Sequence, residues 1–521
     1  MAKKVTFAAV RGALGGAAEL ALLDAREQGV HYRGHPFFAC SAPLSRLEFM
    51  IRDLVPRATA PVVVLDGGGE GLAEQAAERL GSMGYTDVSV LDGGCAAWQA
   101  AGGELFSGVN VPSKAFGEFI EHRYDTPRVS ANQLNGWVAE GKRLVILDSR
   151  PFEEYHRMNI PGGIDVPGAE LAWRIHDLAP DPETLVVVNC AGRTRSIIGC
   201  QSLRNAGIQN RVVALKDGTM GWDLAGFDCE RGATRVAPAP SGQGKAKALA
   251  VAERVAKRFA VKFTTPEEIG KWQNDASRTL YLLDVRTREE FERSHVAGSR
   301  HAPGGQLVQA SDEYVAVRNA RVVLIDPERV RAVMTASWLE QMGWNDVYVL
   351  DDPRSLPMEG GPRQPPEVAK WGNLCSPDAV SGAVLDLSTS LRFHHAHVPG
   401  AWWAVRSRLG EAHAKIGAVS SLVLTSEDGL LAHLAAPQAQ ALWPLAKVSV
   451  LDGGNAAWIA AGRPTEGGVE RATTERDDVW YKPYDHRSDY SYKQHARDYL
   501  AWEVALIDQV KRDPTIRFRT Y

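Results

Sequence analysis

Short continuous apolar runs punctuate the chain, among them Val62-Val63-Val64-Leu65, Leu185-Val186-Val187-Val188, Val322-Val323-Leu324-Ile325 and Leu422-Val423-Leu424. Between them lie segments with helical spacing of apolar residues, such as Leu72 to Leu80 and Arg331 to Met342. Runs without polar alternation suit strands buried on both faces. Strands alternating with helices then predict an α/β architecture with largely parallel sheets. In such sheets reactive loops belong at the carboxyl end of a strand, leading into a helix.

The pattern repeats. An Asp-x-Arg triplet follows an apolar strand at Asp24-Ala25-Arg26, Asp148-Ser149-Arg150 and Asp284-Val285-Arg286, with a weakened copy at Asp386-Leu387-Ser388. A second landmark, a strand followed by an Asp-Gly turn and a tryptophan, appears as Asp92-Gly93-Gly94 with Trp98, Asp217-Gly218 with Trp222 and Asp452-Gly453-Gly454 with Trp458. Asp24 to Asp66, Asp148 to Cys190 and Asp284 to Asp326 each span 42 residues, and Asp386 to Ser426 spans 40. Each endpoint follows one of the apolar runs. Four homologous units are therefore expected, at 1–111, 112–234, 263–361 and 362–468. A linker and exposed helix are expected over 235–262, and a tail over 469–521. Trp480, Tyr481, Tyr484, Tyr490, Tyr492, Tyr499 and Trp502 make that tail too aromatic for a disordered segment. It is expected to dock on the body or on another subunit, with a helix near 492–511.

Composition removes several classes of function. A net charge of −4 with 45% hydrophobic residues gives no basic excess for nucleic acid. No apolar stretch approaches ~18 residues, so no membrane helix is expected. The start, interrupted by Arg11, reads as mature protein. The six cysteines show neither paired nor metal-ligand spacing, which points to a reducing, cytoplasmic setting and to no metal.

One cysteine differs from the rest. Cys190 ends an apolar run and opens the loop Cys190-Ala191-Gly192-Arg193-Thr194-Arg195-Ser196, with a helix-compatible stretch directly after. Loop amides, a helix N-terminus and two guanidinium groups beside a sulfur favour the thiolate over the thiol. The alternative is a buried structural cysteine, for which two adjacent arginines serve no purpose. Cys95 and Cys229 are expected to pack, and Cys200, on the following helix, is the candidate for a resolving thiol.

The Asp-x-Arg triplets, the His-x-x-Gly segments at His295 and His397, the Asp-Gly-Gly…Trp landmarks and the Cys190 loop together resemble a tandem rhodanese, a sulfurtransferase built from repeated rhodanese-like domains. The resemblance implies a double displacement without metal or organic cofactor. The Cys190 thiolate takes a sulfane sulfur from a donor such as thiosulfate and passes it to cyanide, a small thiol or a protein thiol. It assigns donor binding and the sulfur cradle to Ala191, Gly192, Arg193, Thr194, Arg195 and Ser196. A contrasting reading is a persulfide relay or interaction scaffold that serves a protein partner. Related phosphatases use a loop one residue longer, so four residues between Cys190 and Arg195 favour sulfur over phosphate. In the active unit Asn159-Ile160-Pro161-Gly162 replaces the histidine motif, and Ala191 stands where many relatives have arginine.

The remaining positions follow from alignment of the units. Asp66, Asp326 and Ser426 replace the cysteine, so those units are expected to be inert, with Arg329 and Arg331 making the third the better candidate for anion binding. Asp148 and Arg150 are expected to brace the sheet end, since the pair recurs without a nucleophile. Glu153, Glu154, Arg157 and Arg174 are candidates for the pocket wall, and His122 and Arg123 for its mouth.

Overall fold

The computed structural model describes residues 2–486 and 489–521; the side chain of Tyr490 lies outside that description. Four sheets share one strand order. In the second, Arg128–Val129, Val212–Leu215, Leu185–Asn189, Leu144–Asp148 and Ile164–Asp165 lie side by side. The unit's own strands thus run 1-5-4-2-3, all parallel. The same order is found around Leu20–Asp24, Leu280–Asp284 and Ala383–Asp386. The central strands are buried throughout, as Leu185–Asn189 shows, which is why their sequences carry no alternation.

Asp-x-Arg braces these sheets. Arg150 Nε and Nη2 donate to the Asp148 carboxylate at 2.8 and 2.7 Å, and Nη2 also donates to the Met158 carbonyl at 2.6 Å. Arg26 repeats this with Gly34, and Arg286 with Ser294, each carbonyl eight residues further on. Asn159 occupies the histidine position and keeps its hydrogen bond, although its Oδ1 is buried without a partner. Its amide donates to the carbonyl of Tyr155, four residues back, as His295 and His397 bond Phe291 and Phe393.

The units are joined tightly. The largest hydrophobic core runs continuously through residues of the first three, from Leu23 through Phe116, Trp173 and Ile197 to Trp338. Val317–Arg318, from the third unit, adds an antiparallel strand to the first sheet beside Leu20 and Ala21.

The segments that connect and follow the units pack closely against them. The joint after Phe106 is a helix, Val111–Tyr124, whose first ten residues are nearly all buried. The helix Gly242–Arg258 is not simply exposed. It buries Ala248, Val251, Ala252 and Val255 between the second and third units. The tail docks on the body through a helix, Asp489–Val510, with Leu506 fully buried against Phe37, Phe106 and Val111. No helix among the described residues is long and apolar enough to cross a membrane.

Candidate functional site

The Cys190 loop is fastened from below. The Cys190 carbonyl accepts from the Thr219 amide at 2.8 Å and from the Thr219 hydroxyl at 3.1 Å, and the Ala191 carbonyl accepts from the Met220 amide at 3.0 Å. Gly218 makes this approach possible. At its φ of +56° a Cβ would lie 2.4 Å from the Cys190 oxygen, so the Asp-Gly landmark clamps the loop. Asn189, one residue before the cysteine, ties the strand end to Asp148 and Thr219 at 2.9 and 3.0 Å.

With its carbonyls held below, the loop presents its amides. Among the described residues the N–H groups from Ala191 to Ser196 donate to no protein acceptor. The last three open the helix Thr194–Ala206, so its positive end adds to the cradle. Ser196 turns its hydroxyl back to the Arg193 carbonyl at 2.8 Å, closing the loop on itself.

The two arginines separate. Arg195 stays with the sulfur. Its guanidinium binds Glu154 at 2.8 Å and Gln306 at 3.2 Å and lines the cavity described below. Burial opposes its charge, but Glu154 and, after it, the Cys190 sulfur outweigh burial and raise its pKa. Burial likewise disfavours the Glu154 carboxylate, yet Arg195 brings it down to about 2.

Arg193, expected at the donor site, is placed elsewhere. It does not face the cavity. Its guanidinium is buried among carboxylates, binding Glu118 at 2.7 and 2.8 Å, Glu121 at 2.6 Å and Asp217 at 3.2 Å. Glu118 and Glu121 come from the helix Val111–Tyr124, and an isolated charge could not be buried there without them. Thr194 also faces away from the cavity, donating to Glu503 at 3.2 Å. Gly192 is packed from outside. A Cβ there would lie 3.1 Å from Glu503 Oε2 and 3.3 Å from the Tyr499 ring.

A cavity of about 660 Å³ opens above Ala191 and Arg195. Its walls come from all around: Gln28 and Asn110, Arg150 and Glu154, Gln306 and Gln309, and from the tail Trp480, Lys482, Tyr484, Tyr492 and Tyr499. The tail roofs the site. The Tyr484 hydroxyl reaches the Ala191 carbonyl at 3.4 Å, and Cys190 is left 1% exposed.

Other candidates divide. Glu154 and Arg157 line the cavity, whereas Glu153 does not. Arg174 binds Glu170 and the carbonyls of Ala237 and Pro238. His122 and Arg123 are exposed and away from the mouth. Cys200 lies in the core beside Leu147 and Val188, where burial pushes its thiol up to about 12, unsuited to a resolving role. All six cysteines are free.

In two of the loops without cysteine an aspartate reaches into the cradle. Asp66 accepts from the amides of Gly68 and Ala73 at 2.8 and 3.2 Å. Asp326 accepts from those of Glu328 and Arg331 at 3.2 and 2.9 Å. Arg331 is fully buried and held by Asp326, Glu290 and Glu170, so it offers no free cation for an outside anion. Arg329 points outward to Asp351 at 2.9 Å. In the fourth unit Ser426 Oγ accepts weakly from the Ala432 amide at 3.4 Å.

Sequence reasoning missed Lys114, Glu118, Gln306, Tyr499 and Glu503. They reach the loop from segments far away in sequence, and no local motif marks them. The one available signal was the aromatic density of the tail.

Comparison with known proteins fits this geometry. The model of the rhodanese-like domain matches residues 8–101, 130–225 and 265–352, more than half of the chain. The chain belongs to the rhodanese-like family. It is similar along its whole length to a solved structure, the thiosulfate sulfurtransferase from Pseudomonas aeruginosa, at 46% identity, covering 99% of both chains with a TM-score of 0.94. Over 95 residues, 18% of the chain, it is 37% identical to the HTH-type transcriptional regulator Rv0324 of Mycobacterium tuberculosis, of whose length the match spans only 41%. Over 134 residues, 24% of the chain, it is 24% identical to the putative sulfur carrier protein YrkF of Bacillus subtilis, spanning 71% of that protein.

Proposed function

We propose that the protein is a sulfurtransferase that carries sulfane sulfur as a persulfide on Cys190, with thiosulfate or a similar anion as donor. The Cys190 thiolate attacks the outer sulfur of the donor. The S–S bond of thiosulfate breaks and sulfite leaves with the electron pair. A thiophilic acceptor, cyanide or a low-molecular-weight thiol, then attacks the terminal persulfide sulfur and returns the electron pair to Cys190. No external oxidant or reductant is needed.

The observation that carries this reading is the contrast in the loop amides. Among the described residues the whole run of N–H groups from Ala191 to Ser196 is left without a protein acceptor, whereas Asp66 and Asp326 set a carboxylate on amides of the corresponding loops in their units. Such a cradle suits a terminal sulfur bearing negative charge. Arg195 supports donor binding, with Ala191, Gly192 and Ser196 contributing backbone alone. Similarity to the Pseudomonas aeruginosa enzyme supports thiosulfate as the donor. The 1% exposure of Cys190 under the tail favours a small acceptor over a docked protein, and so weighs against the relay reading. The units at 1–111, 263–361 and 362–468 act as scaffold.

Intact-mass measurement after thiosulfate treatment tests the proposal. One added sulfur (~32 Da) is expected on Cys190 and absent from Cys190→Ser. No adduct on the wild-type protein, or the same adduct on the variant, would overturn it.

A further inference from the structure

The Cys190 loop has a charged neighbour that the transfer reaction described above leaves unused. Glu503, on the tail helix, is fully buried against it. Its Oε1 is crowded with donors: Lys114 Nζ at 2.6 Å, the Tyr499 hydroxyl at 3.1 Å and the Thr194 hydroxyl at 3.2 Å. Its Oε2 has no hydrogen-bond partner and lies against Gly192. Burying a carboxylate with one oxygen unsatisfied is costly, so its retention beside a reactive loop calls for a purpose.

The hydrogen bonds have a direction. Lys114 donates to the Tyr499 oxygen, so that oxygen accepts from the ammonium while its own proton goes to Glu503. Lys114 and Tyr499 both line the cavity, while Glu503 stands behind them. The Tyr499 ring lies against Gly192, two residues after Cys190, and shares the cavity wall with Ala191 and Arg195. Burial, followed by Glu503, pushes the phenol's pKa well above the usual value, so it stays an O–H.

Resting on the sulfur-transfer reading, we propose that Tyr499 is a catalytic residue that takes the proton of a thiol acceptor, with Glu503 as the proton's destination and Lys114 as the group that positions the phenol. As the acceptor sulfur attacks, the new S–S bond forms and the bond from Cys190 Sγ to the outer sulfur breaks, leaving a Cys190 thiolate. The S–H proton moves to the Tyr499 oxygen while the phenolic proton moves to Glu503, which becomes neutral. The relay then runs in reverse: Glu503 gives its proton back to the Tyr499 oxygen as the phenol passes one to water in the cavity, which restores the carboxylate. The relay serves acceptors that carry a proton and has no task with those that carry none.

That distinction supplies the test. Cys190 is loaded from thiosulfate, loading is checked by mass, and the rate of sulfur loss is followed with 2-mercaptoethanol or with sulfite, which brings no S–H proton. For Tyr499→Phe the ratio of the thiol rate to the sulfite rate is expected to fall roughly a hundredfold or more, the low end of what general acid–base catalysis contributes. Glu503→Gln shifts the ratio in the same direction. Tyr499→Phe removes a single oxygen and keeps the proposal testable if the buried Gln variant does not fold. An unchanged ratio, whether both rates hold or both fall together, overturns the relay. Failure of the wild-type protein to load sulfur would instead overturn the sulfur-transfer reading beneath it.

Discussion

The loops beginning at Cys190 and Asp326 have the same frame and opposite outcomes. Asp148 to Asp284 and Cys190 to Asp326 are both offsets of 136 residues (284 − 148 and 326 − 190). Under that offset Arg195 corresponds to Arg331, Glu154 to Glu290, and Gln306 of the third unit to Glu170 of the second. Arg195 reaches Gln306 at 3.2 Å, and Arg331 reaches Glu170 at 3.0 Å, each across the interface. Ser202 and Trp338, bonded to each other at 2.8 Å, are also equivalent, so a local two-fold relation passes between them. Charge is where the two sides part. Arg331 faces three carboxylates, Asp326, Glu290 and Glu170, whereas Arg195 faces Glu154 and a neutral glutamine. One guanidinium is saturated by its own chain, and the other keeps capacity for an incoming anion.

Breaking the saturated side gives the largest expected effect. Asp326→Ala removes one member of a buried charge network and strands Arg331 against its remaining partners. A loss of about 3 kcal/mol of stability is expected, read as a lower urea midpoint, while sulfur loading of Cys190 persists. An unchanged midpoint would mean the third loop is not held by its own ion pairs. On the open side, Arg195→Gln is expected to lower kcat/KM for thiosulfate roughly 10- to 100-fold, the range of a charge-assisted hydrogen bond of about 1.5–3 kcal/mol. A comparable loss of donor affinity in Arg193→Gln would restore Arg193 to the donor site and contradict its placement among Glu118, Glu121 and Asp217.

The smallest effect concerns pH. On the edge strand, paired with Asp148, stands Asp165, where the third unit has His301. Its carboxyl is buried with Oδ1 unpartnered, and burial, followed by Asp148, pushes it up to about 8. A folded-state value above the unfolded one (~3.9) means its contribution to stability is full below that value and is lost as pH rises to about 8. Asp165→Asn is therefore expected to melt a few degrees higher than wild type at pH 7.5, with the gain vanishing near pH 4. An equal gain at both pH values would place the effect in packing instead.

Much of this was readable beforehand, and the gaps have a common cause. Continuous apolar runs, Asp-x-Arg braces and the Asp-Gly turn are local devices, so strand order, loop position and the cysteine itself follow from neighbouring residues. Arg193 was misplaced because its surroundings are set by Glu118 and Glu121, 75 and 72 residues earlier in the chain. Glu503 and Tyr499 arrive from a tail that shares no motif with the repeats. Proximity in sequence identified which arginines were available, but only packing decided which one faces the sulfur. The helix Gly242–Arg258 misled for a related reason. Its lysines and arginines advertise a solvated face, while small alanines conceal how closely the other face packs.

The two-residue strand Val317–Arg318 has a consequence for how the chain reaches this state. It pairs with Leu20 and Ala21, the stretch of border that Ala39–Ser41 leaves open, in a sheet whose own strands were made more than two hundred residues earlier. Until it arrives, that border offers unpaired peptide groups to any passing polypeptide, a known route to clumping. Late, long-distance pairing of this kind slows maturation, and it binds the repeats to a shared fate. A truncated version ending after the reactive segment would emerge with an unfinished margin, so a molecule whose sequence looks modular is not built to be cut into modules.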